Sequence, residues 1–225
     1  MQFKPKHLCI FAAVAALLGW LTLALQLMLS IRLGISNGQG AWAGVWTYLD
    51  YFTILTNLLV APVLTAAARG PRNAIDRWLI RPDVQTATAM SIVIVAAVYN
   101  LMLRQLWQPH GWQIVADNML HVAMPALFLL HWWLAVPKAS LRWPQVFVWQ
   151  VYPAAYFIYV LLRGAMDGRY PYPFLDVTTL GYLRVLLDAC AVLLAFIVVG
   201  LALVALGRWQ ARRSVKTRIA PPTKS

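Results

Sequence analysis

The chain has 225 residues, 61% of them hydrophobic and only 12% charged, with a mean hydropathy of +0.66. A soluble domain carries about twice that charged fraction, so the composition points to a membrane protein, and the length allows one domain. The net charge of +12 does not indicate nucleic acid, because the basic residues sit in short loops and tails between apolar runs, as they do in membrane proteins.

Six apolar runs are long enough to cross a hydrocarbon core of about 30 Å, which takes about 20 helical residues. The first, near residues 8–31, exceeds the short apolar core of a signal peptide. It therefore reads as a span, and "AWA" at 41–43 does not read as a cleavage site. The second, near 48–68, begins "LDYFTILTNLLV", where Asp50, Thr53 and Asn57 recur at helical spacing and share one face. The third, near 85–106, ends in "VYNLMLRQLW", with Asn100 and Arg104 four apart. The fourth, near 113–136, begins "DNMLHVAMP", with Asp117 and His121 four apart. The fifth, near 144–164, ends at Arg163. The sixth, near 177–206, begins after "YPYPFLD", with Arg184 and Asp188 four apart. Short links rich in Gly, Pro and charge separate the runs. The reading is an all-α, six-span bundle over residues 1–207. A basic tail, 208–225, is expected to be disordered beyond its first turns.

With the N-terminus inside, 14 of the 19 Lys and Arg residues fall on the inner side. That bias predicts that both termini are cytoplasmic, in a plasma membrane such as the bacterial inner membrane. Trp42, Trp46, Trp107 and Trp112 then mark the outer interface, and Trp78, Trp143 and Trp209 the inner one.

The polar pairs all fall in the outer half. Ionisable side chains inside a membrane face the bundle interior or a wet cavity, so a shared depth on four helices predicts one shared cavity. At 1.5 Å per residue, His121 lies about 10 Å below the outer interface, and Thr53 at a similar depth. The alternative is that these residues only join helices by hydrogen bonds. That reading stays open for Asn57, Asn100, Arg184 and Asp188. Thr56 is expected to bond its own i−4 carbonyl. His131 is expected near the inner interface, His7 and His110 in exposed flanks, and Cys9 and Cys190 as buried thiols.

Three stretches carry a resemblance: "YFTILTNL", "LHVAMPALFLL" and "YPYPFLD". Together, over roughly residues 8–206, they resemble the androgen-induced and androgen-dependent TFPI-regulating proteins. Those are multi-span threonine hydrolases of fatty acid esters of hydroxy fatty acids. The chain looks most like their bacterial Pr-six-Pr branch. The resemblance implies Thr53 as nucleophile and His121 as essential histidine, with Thr56 a competing nucleophile.

The chemistry is reasonable for these residue types. A threonine hydroxyl needs a base to become a nucleophile, and a histidine titrates near working pH. Asp117, Asp50, Asp176 or Asp188 are candidates to orient the imidazole. Asn57, Asn100 or Arg104 are candidate oxyanion donors, and Arg104, Arg163 or Arg184 candidate grips for a carboxylate. No phosphate loop, metal-ligand spacing or nucleophile elbow occurs, so no cofactor or metal is expected. The expected partners are membrane lipids and a lipid-like substrate, with no nucleic acid and no protein partner indicated. A ligand-binding or transport protein, and a purely structural one, are the competing readings.

Overall fold

The structure, a computed structural model, describes residues 6–219, with side chains described through residue 213. Among the described residues there is no strand, and six helical stretches are long and apolar enough to cross a membrane. This is the architecture of an integral membrane protein, an all-α six-helix bundle. The chain crosses six times, so the first and last helices begin and end at one end of the bundle, the terminal end; the opposite end is the site end.

Helix α1 (Lys6–Ser36) lays Ala12, Ala15, Ala16 and Gly19 against α3 (Phe52–Arg69). Small residues permit that close approach, and a Cβ added at Gly19 would lie 3.0 Å from the Met124 side chain. At the site end the chain turns through Gly38 and Gly40, both at positive φ, into the short α2 (Ala41–Tyr48). Helix α2 folds directly back onto α1. A Cβ on Gly44 would sit 2.4 Å from the Ser30 carbonyl oxygen, and Ser30 Oγ donates to the Gly44 carbonyl at 2.8 Å.

The second span therefore starts at Phe52 and not at 48, because Asp50 and an extended Tyr51 (φ −87°, ψ 127°) break the helix between α2 and α3. Helix α3 is the most buried span of the six. It is followed by a short α4 (Ala74–Leu79), capped by Asn73 Oδ1 accepting from the Asp76 amide at 2.8 Å.

Helix α5 (Pro82–Val98) runs into a π-helical turn, Tyr99–Leu103. Helix α6 (Trp112–Asn118) runs into a second one, Met119–Ala123, and then into α7 (Met124–Ala135). A short α8 (Gln145–Trp149) precedes α9 (Val151–Asp167). A 3-10 turn, Pro173–Leu175, leads to α10 (Val177–Ile219), which bends at Gly181 (φ 74°, ψ 158°).

Two expectations need correction. The tail is helical as far as Ile219. Arg208 donates to the Leu141 carbonyl and Gln210 to the Trp133 carbonyl, both at 3.1 Å, so the bundle holds its first turns. Residues 220–225 lie outside the described residues. His131, expected near the inner interface, is buried in the bundle: it is 1% exposed and meets Gln85 Oε1, in the first turn of α5, through Nε2 at 2.9 Å. The same faces of α5 and α7 join again where Trp132 Nε1 donates to Thr86 Oγ1 at 2.9 Å. Finally, Cys190 is exposed on α10 and Cys9 only half-buried, because the outer helices turn much of their surface away from the bundle.

Candidate catalytic site

Thr53 stands in the first turn of α3 and His121 in the π turn between α6 and α7. Thr53 is 7% exposed, and its Oγ1 lies 3.2 Å from His121 Nε2. The other ring nitrogen, Nδ1, faces the Asp117 carbonyl oxygen at 2.9 Å and Asp117 Oδ1 at 3.3 Å. Two oxygens at Nδ1 call for the proton there, and in the neutral ring Nε2 then directs its lone pair at the threonine hydroxyl. The second carboxylate oxygen of Asp117 accepts from the Tyr99 hydroxyl, and the Tyr99 ring stacks on His121 with centroids 3.7 Å apart. A hydroxyl, an imidazole, a carboxylate and a clamping tyrosine thus form one chain of contacts from three helices.

The local geometry follows from one proline. Pro125 has no N–H, so in an α-helix the His121 carbonyl loses its donor, and in a π turn the Leu120 carbonyl does. Two asparagines fill the places. Asn57 Nδ2 donates to Leu120 O at 3.4 Å and to Thr53 O at 2.8 Å. Asn100 Nδ2 donates to His121 O at 3.4 Å and to Ala96 O at 2.8 Å. Arg104 in turn donates to Asn100 Oδ1 at 3.0 Å from an exposed position. These three residues were expectations for the oxyanion role. Their hydrogen bonds go to main-chain carbonyls and to each other, so they hold the His121 turn in place.

The remaining candidates lie elsewhere. Thr56 does not bond its own turn; its Oγ1 meets the Tyr152 hydroxyl at 3.2 Å, away from His121. Asp50 is 2.7 Å from Arg163 Nη1. Arg163 also donates to the Trp46 carbonyl at 3.1 Å and lies over the Trp46 ring, centroid 3.9 Å away. It is therefore a buried strut between α9 and α2 and does not reach a ligand space. Burial lifts the Asp50 carboxyl to about 6, because Arg163 offsets its desolvation only in part. Asp176 caps α10, accepting from the Thr178 amide at 2.9 Å. Arg184 and Asp188 pair at 3.1 Å on the outer face of α10, where the arginine side chain is 67% exposed. Neither arginine faces Thr53, which corrects both the expectation of a single shared cavity and the expectation of a carboxylate grip there.

The residues that sequence reasoning missed are tyrosines. Tyr172 is buried, stacks on Phe174 with centroids 5.3 Å apart, and shares the wall of one cavity with Thr53 and Tyr156. Burial pushes Tyr172 up to about 12, so it keeps its proton at any ordinary pH. Its signal was the "YPYPFLD" loop, in which prolines on both sides fix the backbone of Tyr172. Tyr156 donates to the Asp50 carbonyl at 2.7 Å and Tyr159 to the Leu49 carbonyl at 3.2 Å. Together with Arg163 they form one face of α9 that caps the end of α2 and so sets where α3 begins.

Beside Thr53 an apolar cavity of about 70 Å³, open at one side, runs between α5, α9 and α10. Ile94, Val98, Leu103, Phe157, Val192 and Phe196 line it. Its only polar side chains are the hydroxyls of Thr53, Tyr99, Tyr156 and Tyr172. Among the described residues no cluster of side chains suits a metal ion. No family model, curated protein or solved structure matches the chain.

Proposed function

We propose that this protein is a membrane-embedded hydrolase of lipid esters, with Thr53 as nucleophile and His121 as general base. The observation that carries the reading is the 3.2 Å approach of Thr53 Oγ1 to His121 Nε2, whose opposite nitrogen rests on Asp117. The threonine hydroxyl gives its proton to Nε2 as Oγ1 attacks the ester carbonyl. The imidazolium then protonates the leaving alcohol, and water repeats the sequence to release the acid. Asp117 stabilises the charged ring, as the carboxylate of a catalytic triad does.

The apolar cavity beside the hydroxyl supports a hydrocarbon chain as the acyl group, since burying apolar surface there is favourable and no cation awaits a charged one. The resemblance to the TFPI-regulating family points to the same chemistry and to esters of hydroxy fatty acids. The distribution of basic residues supports cytoplasmic termini, a site in the outer leaflet, and residence in a bacterial inner membrane.

The test is labelling of detergent-purified protein with a fluorophosphonate probe. Wild type is expected to be labelled, and Thr53→Ala and His121→Ala to lose the label while keeping their melting temperatures. Labelling that persists in Thr53→Ala moves the nucleophile elsewhere, and an unlabelled wild type overturns the reading.

A further inference from the structure

Attack on an ester carbonyl places negative charge on its oxygen, and a hydrolase needs a donor waiting there. Asn57, Asn100 and Arg104 are already spent on the His121 turn. A side-chain donor must therefore come from the cavity wall, where four hydroxyls are the only polar side chains. Thr53 is the nucleophile of the reading above, on which this inference rests. Tyr99 has given its proton to Asp117, and Tyr156 has given its own to the Asp50 carbonyl. One hydroxyl remains.

We propose that Tyr172 is the oxyanion donor of this site. Its phenol stands beside Thr53, on a loop fixed by Pro171 and Pro173, with Tyr51 edge-on at 6.0 Å and Phe174 stacked at 5.3 Å. Tyr172 and Thr53 line the same cavity, and Thr53 lies in the first turn of α3. Its polar neighbours in the cavity wall are exchangeable hydroxyls, those of Thr53 and Tyr156 among them. When Thr53 Oγ1 bonds to the carbonyl carbon, its proton passes to His121 Nε2 and the carbonyl π pair moves onto oxygen. Tyr172 then turns its O–H onto that oxygen and remains a phenol throughout. Collapse restores the carbonyl, breaks the bond to the leaving alcohol, and returns the His121 proton to it.

The experiment compares Tyr172→Phe with wild type on a p-nitrophenyl long-chain ester and on the matching thionoester, whose sulfur accepts hydrogen bonds poorly. Removing one oxyanion donor lowers kcat by roughly 10²–10³-fold. The expected result is that loss on the ester, little change in KM, and a much smaller loss on the thionoester. A merely structural tyrosine would lower both substrates alike, and that result overturns the proposal. Turnover lost in Thr53→Ala but kept in Tyr172→Phe overturns this inference alone. A wild type without turnover or labelling overturns the hydrolase reading and this one with it. If Tyr172→Phe does not fold, 3,5-difluorotyrosine at position 172 provides the second test. Activity is then expected to fall as the more acidic phenol ionises, at a pH where wild type is still flat, and a flat profile overturns the assignment.

Discussion

Replacing Asp117 by Asn separates two jobs that one carboxylate usually performs. In a serine-protease triad the same exchange costs about 10⁴-fold in kcat, because the imidazole then takes the wrong tautomer. Here His121 Nδ1 has a second acceptor, the Asp117 carbonyl oxygen at 2.9 Å, nearer than Oδ1 at 3.3 Å. That carbonyl survives the substitution, so the Nδ1–H tautomer survives with it. The loss is the attraction between the carboxylate and the imidazolium that forms during attack. Two unit charges about 4 Å apart at an effective dielectric near 20 attract by about 4 kcal/mol, which bounds the loss at roughly 10³-fold. Part of the carboxylate charge is already held by Tyr99, so about 10²-fold is the expected loss in kcat. The assay is hydrolysis of a p-nitrophenyl ester in detergent micelles across pH 5–9, with melting temperature as control. A loss of 10⁴-fold would mean that the main chain does not hold the tautomer. A loss under threefold would mean that the carboxylate plays no part. Either result refutes the reasoning.

Two further outcomes concern stability. Arg163→Leu leaves the Asp50 carboxylate buried without its partner at 2.7 Å; stripping one member from a buried pair costs about 3–5 kcal/mol, measured as a fall in melting temperature at pH 8. Because burial raises Asp50 from 3.8 to about 6 in the fold, the folded state holds its proton more tightly than the unfolded one. Wild type therefore gains stability as pH falls through the window between about 6 and 4, and Arg163→Leu shows a larger gain starting at higher pH; a melting temperature independent of pH over that range would contradict both statements. Lys138→Met removes an ammonium that donates to the carbonyls of Trp132, Trp133 and Val136 at 2.7, 3.0 and 2.8 Å. Losing a charged cap at the end of α7 is expected to cost about 2–3 kcal/mol; thermal unfolding followed by circular dichroism checks it, and an unchanged midpoint would show that water replaces the lysine.

The spans were legible because hydropathy is a local property. An apolar run of the right length crosses the bilayer whatever its neighbours are, and the six runs read from the sequence overlap the six long helices. Depth was legible for a similar reason. A fixed rise per residue places Thr53 and His121 at one level on helices that run in the same direction, and the two side chains meet there. Azimuth was not legible. Asp50, Arg184 and Asp188 share the same broad depth, yet packing turns Asp50 into the α9–α2 strut and leaves Arg184 on the outer face of α10. The π turns at Tyr99–Leu103 and Met119–Ala123 add one residue per turn. Each shifts the register by about 100°, which no helical-wheel count anticipates.

The sequence by itself determined how many times the chain crosses and how deep each polar group sits, since both follow from hydropathy and helical rise along a single segment. Only the tertiary structure decided that Asp117 orients His121, that the asparagines bind carbonyls freed by Pro125, and that tyrosines surround Thr53. Those facts depend on how each helix is rotated about its axis. Rotation is set by the packing of all the helices together, and no single segment encodes it.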